Sequence, residues 1–215
     1  MKKDFQSGVH PSGKPPMGKP SLFERIEKQH PFLTLLYLAM IGSGLIFLFL
    51  LVGFTNSLGR FDTDLFVFPK FFLASTLVIL VSSYFAEKAW TNFLNDEPQL
   101  LRQHLIYLLL LGSIFCISQF VGWNELLRQG IVFSGKAAGT YMYLLTGLHI
   151  LHLAGGLAFA GVQTLHYKKA CEDGVQALII FSSKYEKTKM QLLKNYWHFL
   201  DILWLIIFVY LLLAL

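Results

Sequence analysis

The chain has 215 residues, of which 54% are hydrophobic and only 14% are charged. This balance excludes an ordinary soluble globular protein and indicates an integral membrane protein. The formal net charge of +5 would hint at nucleic-acid binding in a soluble protein, but in a membrane protein the distribution of the charge along the chain carries more information.

The N-terminal segment, residues 1–30, is polar and basic and contains the Pro- and Gly-rich stretch DFQSGVHPSGKPPMGKP. A segment of this composition cannot bury enough apolar surface to offset the entropy of ordering it. We therefore expect a disordered, basic tail on the cytoplasmic side, followed by one transmembrane domain over residues 31–215.

Five long apolar runs follow the tail. A bilayer core of about 30 Å needs about 20 helical residues, and each run reaches that length. The runs must be helical because lipid offers no partner to unpaired backbone groups. The sequence thus predicts an all-α bundle of five transmembrane helices over residues 31–54, 65–85, 105–123, 137–167 and 195–215.

Basic residues predict the orientation of the bundle. Fourteen of the 18 Lys and Arg residues lie in the tail and in the two loops on the same side of the predicted bundle. Cytoplasmic loops carry such an excess of positive charge. We expect the N-terminus inside and the C-terminus outside, as an odd number of spans requires.

Four ionisable side chains lie within the spans. His149 and His152 are three residues apart in the fourth span, and so are His198 and Asp201 in the fifth. This spacing places each pair on one helix face. At about 1.5 Å per residue, His152 and Asp201 lie at a similar depth, which makes a polar contact between the two spans geometrically feasible.

Three interpretations of these groups compete. Ionisable groups in a span are costly and usually face protein or water, so polar pairing that fixes helix packing is the favoured interpretation. A lipid-headgroup or proton-linked role is the second, and a metal or haem site is the third. We expect no catalytic residue, metal or cofactor in this chain, and we expect Gln119 to form a hydrogen bond between helices.

Several motifs resemble those of a known family. YWHFLD (196–201), which contains Tyr196 and Trp197, is followed by ILWLIIF, and TGLHILH (146–152) lies in the preceding span. LGSIFCISQFVGW (111–123) and SSY (82–84) fit in the same order. Together these stretches resemble subunit III of haem–copper terminal oxidases, in its short five-helix form, over about residues 31–215.

The resemblance implies an accessory subunit without a redox centre. Such a subunit packs against the catalytic subunit I, binds membrane phospholipids, supports proton uptake and protects the enzyme during turnover. The complex reduces dioxygen to water with proton pumping, and its haem and copper are held in subunits I and II. The histidines and the aspartate of the motifs would then be internal polar contacts of the bundle.

The resemblance also leaves alternatives. We expect cytochrome c as the electron donor, with a quinol oxidase as the alternative, and a bacterial inner membrane as the location. The family often has acidic residues where this chain has Gly44 and Gly122. From other functional classes, a small membrane transporter and a membrane metalloenzyme remain to be tested.

Overall fold

The computed structural model describes residues 31–59, 69–133 and 137–214. Within these ranges the chain is entirely helical apart from short connections. Five of the six helices in these described ranges are long and apolar enough to cross a membrane. The helices are α1 (Pro31–Leu58), α2 (Lys70–Leu94), α3 (Pro98–Arg128), α4 (Ala137–Glu172), α5 (Gly174–Ser182) and α6 (Lys184–Ala214).

The predicted bundle of membrane-spanning helices is confirmed, while its orientation remains a prediction. The helices extend beyond the apolar runs: α2 continues to Leu94, α3 already begins at Pro98 and α6 begins at Lys184. A helix bonds its own backbone in water as well as in lipid, so a polar segment can continue it past the bilayer. The predicted tail, 1–30, and the predicted start of the second span, 65–68, lie outside the described residues.

The connection between α2 and α3 is a tight turn. Asp96 has a φ of 57°, a left-handed conformation that Asp tolerates better than most residues. Pro98 then occupies the first turn of α3, where its missing N–H is not needed. The short turn makes α2 and α3 an antiparallel pair with the most extensive helix contact in the bundle.

Helix α6 lies at the centre of the bundle and α1 lies at its edge. In the most apolar 18-residue window of each helix, 44% of α6 residues are buried but only 11% of those in α1. Helix α6 packs against α1, α2 and α4, whereas α1 packs only against α4 and α6 among the main contacts of the described chain. Most of the α1 surface therefore faces lipid or a protein partner.

Aromatic rings fill the interior around α6. Trp204 is fully buried, and its ring centroid lies 4.9 Å from that of Phe115 on α3 and 6.1 Å from that of Phe72 on α2. Both ring pairs are perpendicular, which is a favourable electrostatic arrangement for aromatic groups. These contacts fix the positions of α2 and α3 relative to α6.

The short helix α5 joins α4 to α6. It begins where the Asp173 carboxylate accepts a hydrogen bond from the backbone N–H of Val175 at 2.8 Å. Ile180 is buried, and the ring of Phe181 lies 5.2 Å from the ring of Phe93 at the end of α2. Helix α5 thus covers the end of the bundle where α2 finishes.

Candidate functional site

A stripe of four hydroxyl side chains runs along α2 and organises the polar interior. Ser75 and Ser82 are seven residues apart, as are Thr76 and Ser83, so all four lie on one face of the helix. Ser75 and Thr76 donate to the backbone carbonyl of Phe72, and Ser82 donates to that of Ile79. Their oxygens remain free to accept hydrogen bonds from neighbouring helices.

The hydroxyl stripe binds two tryptophans of α6. The indole N–H of Trp197 donates to Ser82 Oγ at 3.0 Å, and that of Trp204 donates to Thr76 Oγ1 at 2.9 Å. Both rings are fully buried. Each indole N–H, which would be costly to leave unpaired in this interior, is therefore satisfied between α6 and α2.

The stripe also binds α3 through Gln119. Its Nε2 donates to Ser75 Oγ at 2.7 Å, which is the kind of interhelical hydrogen bond expected from the sequence. A further bond of this type joins α3 to α4, where the indole N–H of Trp123 donates to Thr146 Oγ1 at 2.9 Å. Four neighbouring helices are thus linked by hydrogen bonds to hydroxyl groups.

His198 forms a second cluster with groups at the end of the stripe. Its Nδ1 lies 2.9 Å from Ser83 Oγ and its Nε2 lies 3.3 Å from Glu87 Oε2. Lys194 Nζ lies 2.8 Å from the same Glu87 oxygen. An ionised carboxylate can only accept, so Nε2–H donates to Glu87, and Nδ1 of the neutral ring accepts from Ser83.

Asp201 lies one helical turn further into the bundle. It is 4% exposed, and its Oδ2 lies 4.0 Å from Nδ1 of His198. Neither carboxylate oxygen has a hydrogen-bond partner among the described groups. Asp201 is therefore a polar group in the interior whose ionisable neighbour, His198, is on its own helix.

The two histidines of α4 have different neighbours. His152 Nδ1 lies 2.8 Å from the Leu148 carbonyl and therefore donates to it. In the neutral ring, Nε2 then accepts from Ser43 Oγ on α1, at 2.9 Å. His149 is instead fully buried, with its ring centroid 5.1 Å from that of Trp204, and neither ring nitrogen has a partner in the described part of the chain.

The contact between α4 and α6 is not the polar contact between His152 and Asp201 that their similar depth made feasible. No hydrogen bond or ion pair joins His149 or His152 to Asp201 in the described ranges. The link comes from Tyr196, whose hydroxyl donates to the backbone carbonyl of His152 at 3.0 Å. Similar depth does not bring His152 and Asp201 together, because the two side chains point into different helix contacts.

Some residues of this network were not anticipated. Thr76 and Trp204 carry a hydrogen bond equivalent to that of Ser82 and Trp197, and Ser43 binds His152. The sequence does contain a pattern that indicates the bond between Thr76 and Trp204. A tryptophan inside an apolar span needs an acceptor, and α2 offers hydroxyl groups seven residues apart. No comparable signal in the sequence connects Ser43 to His152, which are 109 residues apart.

Known proteins resemble this chain over most of its length. No protein-family model matches it. A protein named probable cytochrome c oxidase subunit 3, from Mycobacterium leprae (strain TN), is 27% identical over 136 residues, or 62% of this chain and 61% of that protein. A protein named probable quinol oxidase subunit 3, from Staphylococcus aureus (strain USA300), is 27% identical over 153 residues, or 70% of this chain and 69% of that protein.

The chain is a relative of the oxidase subunit 3 proteins. The resemblance to the subunit III family that the motifs indicate is thereby confirmed. The chain spans about three fifths of the length of the mycobacterial relative. Both donor types occur in the names of its relatives.

The structure gives a physical reason for one of the two departures from the subunit III pattern. A Cβ at Gly122 would overlap the ring of Phe72, so an acidic side chain cannot fit there unless that ring shifts. At Gly44 a Cβ would meet nothing within 4 Å. The absence of an acidic residue at 122 is thus coupled to the aromatic residue opposite, whereas packing does not require glycine at 44.

An apolar cavity of about 530 Å³ opens between α1, α4 and α6. Phe32 and Leu36 of α1, Phe159 of α4 and Leu192 and Tyr196 of α6 contribute to its lining. Its apolar lining and size are those of sites that bind small apolar groups. Among the described residues, no group of three or more His, Cys, Asp or Glu side chains is placed to hold a metal ion.

Proposed function

We propose that this chain is an accessory, non-catalytic subunit III of an aerobic respiratory terminal oxidase complex. The complex reduces dioxygen to water and pumps protons. The haem and copper belong to partner subunits I and II, and this chain stabilises subunit I. The proposal is supported by the relatives named oxidase subunit 3 and by the five apolar helices.

The proposal rests on one observation: the side chains of the motifs contact other helices of the same chain. Trp197 and His198 contact hydroxyls of α2, while Tyr196 and His152 connect α6, α4 and α1. These groups bind neighbouring helices of the same chain, which is what a structural subunit requires. Gln119 and the ring of His149 also contact neighbouring helices. We propose a packing role for both of them and for the buried Asp201, and none of the seven is given a catalytic role.

The electron donor in this proposal is cytochrome c, with a quinol as the alternative. The donor binds elsewhere in such complexes, so no residue of this chain chooses between the two. A dinuclear copper site in subunit II is the feature that would distinguish them. We further propose the bacterial inner membrane as the location, with the N-terminus inside, and contact with phospholipids along α1.

We also propose that this chain supports proton uptake by subunit I. The partly exposed cluster of Glu87, Lys194 and His198 lies where the last two turns of α2 meet the middle of α6, toward the end of the bundle at which α2 finishes. On the proposed orientation this end faces the cytoplasm, from which protons are taken up. The cluster would keep ionisable groups near the subunit I surface rather than conduct protons itself.

Co-purification tests the proposal. The tagged chain is extracted from native membranes in mild detergent, its partners are identified, and a reduced-minus-oxidised visible spectrum is recorded. We expect haem bands and a large multi-span partner, and a copper-binding subunit II would identify the donor as cytochrome c. A colourless chain that purifies alone would contradict the proposal and direct attention to transport assays or to a metal bound by the chain itself.

A further inference from the structure

A second cavity, of about 410 Å³, lies at the opposite end of α2 from the Glu87 cluster. The distance from Lys70, where α2 begins, to Glu87 is about 25 Å along the helix, which is close to the thickness of the hydrocarbon core. The cavity therefore lies at the level of the lipid headgroups on the other side of the membrane. It is lined by Phe71, Val121, Asn124, Glu125, Leu127 and Arg128.

The cavity contains one carboxylate and one guanidinium that do not pair. Glu125 and Arg128 are three residues apart on the last turns of α3 and both line the cavity, yet no ion pair joins them in the described part of the chain. Glu125 Oε2 is buried and has no hydrogen-bond partner among the described groups. The Oε2 atom is out of reach of a ligand, so a cationic group in the cavity would contact the carboxylate through its other oxygen, Oε1, and neutralise its charge.

The remaining lining matches the rest of a lipid headgroup. Asn124 adds an amide oxygen beside Glu125, and both can accept from an ammonium group. The Arg128 guanidinium is a planar donor suited to a phosphate. The apolar side chains of Phe71 and Leu127, 42% and 48% exposed, offer a surface for the glycerol region.

We propose that this cavity binds the zwitterionic headgroup of phosphatidylethanolamine, with the ammonium at Glu125 and Asn124 and the phosphate at Arg128. The ammonium has three N–H donors for these oxygens. An anionic phosphatidylglycerol headgroup has no cation and would leave Glu125 unpaired beside another negative charge. The cavity is separate from the apolar recess between α1, α4 and α6, and its ligand does not depend on the oxidase assignment.

Native mass spectrometry of the purified protein, with whatever partners it retains, tests this site. Dioleoyl phosphatidylethanolamine or dioleoyl phosphatidylglycerol is added, the chain is released by collisional activation, and lipid adducts on it are counted. We expect Glu125→Gln to lower the phosphatidylethanolamine adduct about tenfold or more, because a hydrogen bond to a charged group is lost. It should not lower the phosphatidylglycerol adduct, because the carboxylate that repels an anionic headgroup is removed. Arg128→Gln should lower both adducts.

Two further variants control for folding and for charge. Leu127→Trp fills the cavity without changing the charge and should also lower the phosphatidylethanolamine adduct. Glu172→Gln removes an exposed carboxylate that pairs with Lys168 and lies outside the cavity, so its adducts should match those of the parent chain.

Two outcomes would overturn the proposal. Equal phosphatidylethanolamine adducts on the parent chain and on Glu125→Gln and Leu127→Trp would place the lipid elsewhere. Competition by soluble glycerophosphoethanolamine at concentrations equal to the lipid would identify a small water-soluble zwitterion, and not the membrane lipid, as the ligand. Neither outcome affects the co-purification test, so a failure of this site and a failure of the oxidase assignment are distinguishable.

Discussion

The hydrogen bond between Trp197 and Ser82 should contribute measurably to the stability of the bundle. Its donor and acceptor are both fully buried and lie 3.0 Å apart on α6 and α2. Ser82→Ala leaves the indole N–H without an acceptor, which costs about 1–3 kcal/mol. Trp197→Phe removes the same bond and part of the ring volume, which also costs roughly 1–3 kcal/mol.

A double-mutant cycle separates the bond from the lost packing. Each single variant removes the hydrogen bond, so the double variant should be less destabilised than the sum of the two. For hydrogen bonds between membrane helices, the coupling free energy should be about 0.6–2 kcal/mol. The free energy of unfolding is measured for the chain in bicelles by titration with sodium dodecyl sulfate, followed by far-ultraviolet circular dichroism.

A matched cycle uses Trp204→Phe with Ser82→Ala. Trp204 bonds Thr76 and lies seven residues from Trp197, or about 10 Å along α6. The two changes should add within about 0.3–0.5 kcal/mol, as independent sites do. The same additivity in the Trp197 cycle would show that its hydrogen bond contributes nothing beyond ring packing and would refute the reasoning.

Two other substitutions test how the helices approach one another. Gly112→Ala should destabilise the fold by about 1–3 kcal/mol, because a Cβ there would lie 2.8 Å from Leu157 and 3.0 Å from Trp197. Gly161→Ala, whose Cβ would meet nothing within 4 Å, should be neutral or stabilising in the same unfolding titration, and equal losses would contradict the packing argument. Ser43→Ala removes the contact to His152 and should speed amide hydrogen exchange in α1. Ser57→Ala removes only a bond to the α1 backbone, so an equal effect on that exchange would argue against the interhelical contact.

The five membrane helices and the polar groups within them follow from local properties of the sequence. Lipid requires every backbone group to be paired within its segment, so an apolar run of sufficient length can only be a helix. The hydrogen-bonding needs of Trp197, His198 and Gln119 are likewise visible in the sequence, because a polar atom in such a run must find a partner. These three residues can therefore be recognised as candidates for interhelical contacts without knowledge of the neighbouring helices.

Which of these groups meet depends on how the helices are rotated and packed against one another. His149 and His152 are three residues apart, but a 60° difference in direction is enough to turn one toward α3 and α6 and the other toward α1. Asp201 lies 4.0 Å from His198 of its own helix, and within the described ranges it forms no hydrogen bond or ion pair with the α4 histidines. Helical periodicity determines the direction of a side chain relative to its own helix axis, whereas the rotation of each helix about that axis depends on the packing of all its neighbours. The cavity at the ends of α2 and α3 arises in the same way, since it joins Phe71 to residues about fifty positions further along the chain.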